Sequence, residues 1–275
     1  MNKDLSVMGL IVRNKIVKAV AVFLAVAALG CLVYLLGESY FGKINDYEYY
    51  FSRNSNGVAI HYPAVYAKSN ATGYLKAVGI IGYTVLAVIC LGFFAKKDNE
   101  EFVLKRLSLP RKRFFLMDAI VNSALFFILW GCMILLFYLT AMRYYYKAGI
   151  MDPVAFFSQS VNWNPFLRGL VPIGGILDWV RMTGLCLCAG FCAAAVKHAR
   201  FAEKMLFWIP FAGLLMAPLL ISFDSDLSGL FYSYKWIWVI ALVHFTVFVA
   251  FYAACEKRQQ ESGENESKPG NDTTV

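Results

Sequence analysis

Six stretches of this chain are nearly free of charge and long enough, or almost so, to cross a bilayer as helices: 19–36, 77–95, 114–140, 176–196, 205–221 and 236–254. A hydrocarbon core of about 30 Å takes roughly 20 apolar residues in a helix. No soluble core needs six such runs, and the composition agrees. Of 275 residues, 59% are hydrophobic and only 16% charged, against about 45–50% and about 25% in soluble domains. The sequence therefore predicts a polytopic membrane protein. The fifth stretch carries Pro210 and Pro218 and is expected as a kinked span, since neighbouring helices tolerate such breakers inside a membrane.

The basic residues set the orientation. Segments 1–18, 96–113, 197–204 and 255–275 hold 17 Lys and Arg in 65 positions, whereas 37–76, 141–181 and 223–235 hold 9 in 94. The denser set belongs on the cytosolic side, which places both termini there. The net charge of +8 is thereby a topology signal, and no nucleic-acid partner is needed to explain it. The start, with Lys3, Arg13, Lys15 and Lys18, resembles a signal peptide. Its apolar run continues to Leu36, longer than a signal core, so a retained first span is expected. Leu5, Met8, Ile11 and Val12 stand at helical spacing ahead of it, as in an interfacial helix lying on the inner leaflet.

The first outer segment is rich in tyrosine, with Tyr40, Tyr47, Tyr49, Tyr50, Tyr62, Tyr66 and Tyr74, and reads as interfacial anchoring. In the second, Asp152-Pro153 combines an N-cap residue with proline at the first helical position. A short surface helix is expected there, then an irregular stretch through 162–164 and 172–175. The tail over 255–275 has no apolar periodicity and is expected to be disordered.

Chemistry is sparse. The chain has no Gly-rich phosphate loop, no His-Glu-x-x-His and no Gly-x-Ser-x-Gly, so an enzyme is not expected, and neither is a bound cofactor or metal. Glu100-Glu101 resembles the start of the Glu-Glu-x-x-x-Arg motif of membrane prenyl-protein proteases, but Lys105 stands at the Arg position. All seven cysteines lie in or beside apolar stretches. Cys186, Cys188 and Cys192 lack a His or carboxylate among them and read as small helix- or lipid-facing side chains. Two ionisable groups fall inside spans: Asp118, expected to pair with local basic residues, and His244, expected to hydrogen-bond a neighbouring helix.

The informative segment is the inner loop 96–113, KKDNEEFVLKRLSLPRKR. Asp98 or Asn99 caps a helix whose first turn holds Glu100 and Glu101. Lys105 and Arg106 fall near its end, so the charges complement the helix dipole at both ends. Phe102, Leu104 and Leu107 make an apolar face that must be covered. The run Asn99-Glu100-Glu101, Leu104-Lys105-Arg106-Leu107 and Ser108-Leu109-Pro110-Arg111-Lys112-Arg113 resembles the loop before the third span of ABC-2 type transporter permeases, membrane subunits of bacterial ABC exporters. That resemblance implies an all-α bundle of six transmembrane helices over 1–254, with cytosolic termini. It implies that Glu100, Glu101, Phe102, Leu104, Lys105, Arg106 and Leu107 form a coupling helix docking a cytosolic ABC ATPase. It also implies a second permease copy or paralogue, and residence in the cell membrane. The alternative from another class is a non-transporting multi-pass protein, a sensor or assembly factor, that docks a partner through the same loop.

Overall fold

The computed structural model describes residues 3–41, 51–54, 57–60, 66, 70–92, 111–148, 152–173 and 175–198. Six helices occur among them: α1 (Lys3–Phe41), α2 (Asn70–Cys90), α3 (Arg111–Ala148), α4 (Pro153–Trp163), α5 (Pro165–Leu170) and α6 (Ile176–His198). A two-stranded antiparallel hairpin, β1 (Phe51–Asn54) with β2 (Gly57–Ile60), pairs Phe51 with Ile60 and Asn54 with Gly57. It lies in the tyrosine-rich segment, where no strand was expected. The fifth and sixth spans and the tail lie outside the described residues, as does the loop with its seven docking residues.

Among the described residues, four helices are long and apolar enough to cross a membrane, over Ile11–Val33, Ala71–Cys90, Arg113–Arg143 and Asp178–Lys197. Val17, Leu24, Ile81, Leu135 and Leu139 are all more than half exposed, which in water would be an aggregation-prone surface. Facing lipid it carries no penalty, so the first four expected spans stand as a membrane bundle.

Their limits differ from the sequence expectation for physical reasons. α1 runs unbroken for 39 residues, about 58 Å at a rise of about 1.5 Å per residue. The segment read as a separate interfacial helix is thus its first part, and Ile11 and Lys15 are buried in the bundle. Nothing in 3–18 breaks a helix: it contains no proline, and its apolar residues continue the periodicity of the span. α2 begins and ends earlier than 77–95. Gly92 has φ +80°, a left-handed conformation that glycine adopts without steric cost. The Gly92 N–H donates to the Ile89 carbonyl at 3.0 Å, closing the helix end.

α3 is the central helix, packed against α6 most extensively and also against α1, α2 and α4. Lipid tails are as apolar as leucine, so close van der Waals fit replaces the hydrophobic effect as the force between helices. The α3–α6 interface shows that fit. Ala189, Gly190 and Ala193 are buried on α6, with Ala119 and Ser123 buried on α3. A methyl group at Gly190 would sit 2.6 Å from Ser123 Cα, so only glycine permits this approach.

α4 starts as expected: Asp152 Oδ1 accepts from the Val154 N–H at 2.9 Å, with Pro153 at the first helical position. The stretch expected to be irregular repeats the device. Asn164 Oδ1 accepts from Phe166 and Leu167 N–H at 2.9 and 3.2 Å and opens α5 at Pro165. Aromatic pairs, Tyr138–Phe157 at 5.3 Å and Tyr145–Phe156 at 6.0 Å between ring centroids, hold α4 against α3.

Candidate functional site

On α1, Ile11, Lys15, Ala19, Val22 and Val26 form one buried stripe, a spacing of three and four residues that repeats on one helix face. Lys15 is the charged member of an otherwise apolar seam. On α3, Asp118 and Asn122 stand one turn apart and are both 0% exposed. Lys197 enters from the last turn of α6.

These side chains meet. Lys15 Nζ contacts Asp118 Oδ1 and donates to Asn122 Oδ1, both at 2.5 Å. Lys197 Nζ lies 3.5 Å from Asp118 Oδ2. The carboxylate thus receives one ammonium on each oxygen, from two helices that flank its own. Asn122 Nδ2 donates to the Gly190 carbonyl at 3.5 Å, and Ser123 Oγ lies within reach of the Ala119 and Leu187 carbonyls at 2.9 and 3.3 Å. A polar seam therefore ties α1, α3 and α6 together inside the apolar bundle.

Ionisable groups at membrane depth are costly, and they persist when paired. The pairing here spans helices. Asp118 was expected to pair with local basic residues, and its basic partners include Lys15 and Lys197, more than 75 residues away along the chain in either direction. Both lysines count as loop residues when the chain is scanned for topology. The signal that identifies Lys15 is its place on the stripe through Ile11 and Ala19. Asn122 is an ordinary polar residue in sequence and becomes distinctive only through its contacts.

The seam has a defined position. The α2 terminus at Gly92 lies against the Lys197 side chain, and Asp118 stands two turns into α3. Gly92 and Arg111 are the described residues that flank segment 93–110; Glu100, Glu101, Phe102, Leu104, Lys105, Arg106 and Leu107 lie in that segment, outside the described residues. At other levels, Tyr66 is fully buried and donates to the Phe137 carbonyl at 2.8 Å, with Thr140 Oγ1 at 2.7 Å. That replaces the interfacial reading for this tyrosine, while Tyr74 is exposed.

Cys186, Cys188 and Cys192 are free thiols on α6. Among the described residues no three His, Cys, Asp or Glu side chains gather as a metal site would require, and the seam holds the Asp118 carboxylate with the Ser123 hydroxyl one turn along α3. The arrangement suits fixing, or re-registering, helices against each other. No family model, curated protein or solved structure matches the chain.

Proposed function

We propose that the chain is the permease subunit of an ABC-type exporter in the bacterial plasma membrane. In this reading it forms the membrane pathway as a six-span ABC-2 bundle with cytosolic termini. It hydrolyses nothing itself, pairs with a second permease copy or paralogue, and takes its energy from a separate cytosolic ATPase. The docking element is the 96–113 loop, with Glu100 and Glu101 at its start, Phe102, Leu104 and Leu107 as its apolar face, and Lys105 and Arg106 near its end.

What supports the reading is the charge and apolar pattern of the 96–113 loop, KKDNEEFVLKRLSLPRKR, and its resemblance to the loop before the third span of ABC-2 type permeases. Within the described residues, Lys15, Asp118 and Lys197 join α1, α3 and α6 by charge.

The test is capture of the co-expressed ATPase by the native chain, Phe102→Ala, Leu104→Ala and the double Lys105→Gln/Arg106→Gln variant in parallel. Truncating a buried anchor costs on the order of 1–3 kcal/mol, a loss of roughly 5- to 150-fold in affinity. Undiminished capture by both Ala variants, with unchanged melting, removes the docking role. Equal losses from the Gln variant, with no ATPase bound, favour a loop that lies on anionic headgroups.

A further inference from the structure

α2, α3, α5 and α6 meet around a cavity of about 160 Å³. Its wall takes one aromatic ring from α2 (Tyr83), two from α3 (Phe126 and Trp130) and one from α5 (Phe166), and α6 adds Met182 and Cys186. Each ring is fixed by a contact within the fold. Trp130 Nε1 donates to the Leu170 carbonyl at 2.7 Å, and its ring meets Trp179 edge to face with centroids 5.6 Å apart. Phe166 leans on Phe137 at 5.9 Å, and Tyr83 on Phe126 at 5.1 Å. A wall held in this way resists collapse into the space it encloses, and an occupant has little to order on arrival.

Size and chemistry select the occupant. Drug-sized ligands fill about 300–1,000 Å³, whereas an apolar cavity of about 150 Å³ stays dry and holds benzene. One six-membered ring fits, and a long chain does not. None of the described wall residues carries a charge, so an ion would lose its hydration without a partner. A cation is further disfavoured, because Lys76 Nζ already stands 5.5 Å from the Phe166 ring centroid. Ring faces and a thioether sulfur both attract the electropositive edge of another aromatic ring.

We propose that this cavity is a binding site for small neutral aromatic molecules of a single ring, about the size of toluene. Solutes of this class dissolve in the bilayer. The wall residues Ile80, Trp130, Met182 and Leu185 are only partly buried, which puts the site within reach of the bundle's surface. The proposal does not rest on the transport reading.

The test uses the full chain in phosphatidylcholine nanodiscs, with phenyl azide as the probe. After illumination, adducts are mapped by peptide mass spectrometry. Adducts are expected at Tyr83, Trp130 or Cys186. At equal concentration in the bilayer, toluene should compete for them about fivefold better than methylcyclohexane, the preference that aromatic contact confers. Phe126→Leu keeps most of the bulk and removes a ring, so it should bring the two competitors toward parity while labelling persists. Cys186→Leu narrows the cavity and should suppress the labelling. If that variant fails to fold, the competition and Phe126→Leu still decide. Adducts spread over the lipid-facing Leu24, Leu135 and Leu139, with toluene and methylcyclohexane competing equally, would overturn the proposal in favour of bulk solution in lipid. Absence of adducts at the cavity wall of the native chain would overturn it outright.

Discussion

Replacing Asp118 with Asn keeps the side chain's shape and removes the charge that Lys15 and Lys197 share. Two ammonium groups are then left in the bundle without that carboxylate. Removing one partner of a buried ion pair costs about 3–5 kcal/mol. The Lys197 side chain keeps 11% exposure, which relieves part of the cost and favours the lower end. At a sensitivity of about 2–4 °C per kcal/mol, a loss of about 3 kcal/mol lowers the melting temperature by roughly 6–12 °C. The assay is unfolding in detergent at one fixed scan rate, because membrane proteins unfold irreversibly. Lys15→Met should cost less than Asp118→Asn, since Asp118 keeps Lys197, although the Asn122 carbonyl loses its donor. A Lys15→Met/Asp118→Leu double variant should recover part of the loss, because apolar replacement of a buried pair is often neutral. A melting point within about 2 °C of native for Asp118→Asn, with a double variant no better than either single, would refute the reasoning.

Other consequences follow from single contacts. Tyr66→Phe removes the hydroxyl held by Phe137 and Thr140 and should cost about 0.5–1.5 kcal/mol, read as a small drop in melting temperature. Gly190→Ala forces α3 from α6, because its methyl group meets the Ser123 backbone. A loss of about 1–3 kcal/mol is expected, whereas Gly184→Ala, with nothing within 4 Å, should be neutral or stabilising in the same melt. Asp152→Ala and Asn164→Ala each remove a helix cap worth about 1 kcal/mol. Hydrogen exchange over 153–170 should quicken in both, with α3 unchanged.

The spans were legible because an uncharged run of bilayer length has few alternatives, and the first four lie where their composition puts them. Their ends were not, since hydropathy averages over the residues that stop a helix. Gly92 ends α2 through its left-handed backbone, a signal carried by one residue. Asp152-Pro153 announced α4 plainly, and Asn164-Pro165 carried the same message within a stretch read as irregular. The hairpin was hidden because four-residue strands leave too few positions for alternation to show. The charge seam was hidden for a different reason. Counting Lys and Arg by segment assigns Lys15 and Lys197 to loops, while the helical wheel that places Lys15 on the stripe from Ile11 to Val26 takes no account of topology. Only the packing of three helices brings Lys15, Asp118 and Lys197 together. The docking residues 100–107 lie outside the described residues, so their role rests on charge pattern and on resemblance.

The most direct measurement places a photo-cross-linking amino acid at Phe102 in the full chain and illuminates native membranes. The adduct is then identified by mass and by labelling with an ATP analogue. A cytosolic ATP-binding subunit joined to this position, and lost when Leu104 is also changed to Ala, is the outcome that coupling predicts. Adducts confined to phospholipid, with no protein partner in well-folded material, would contradict it.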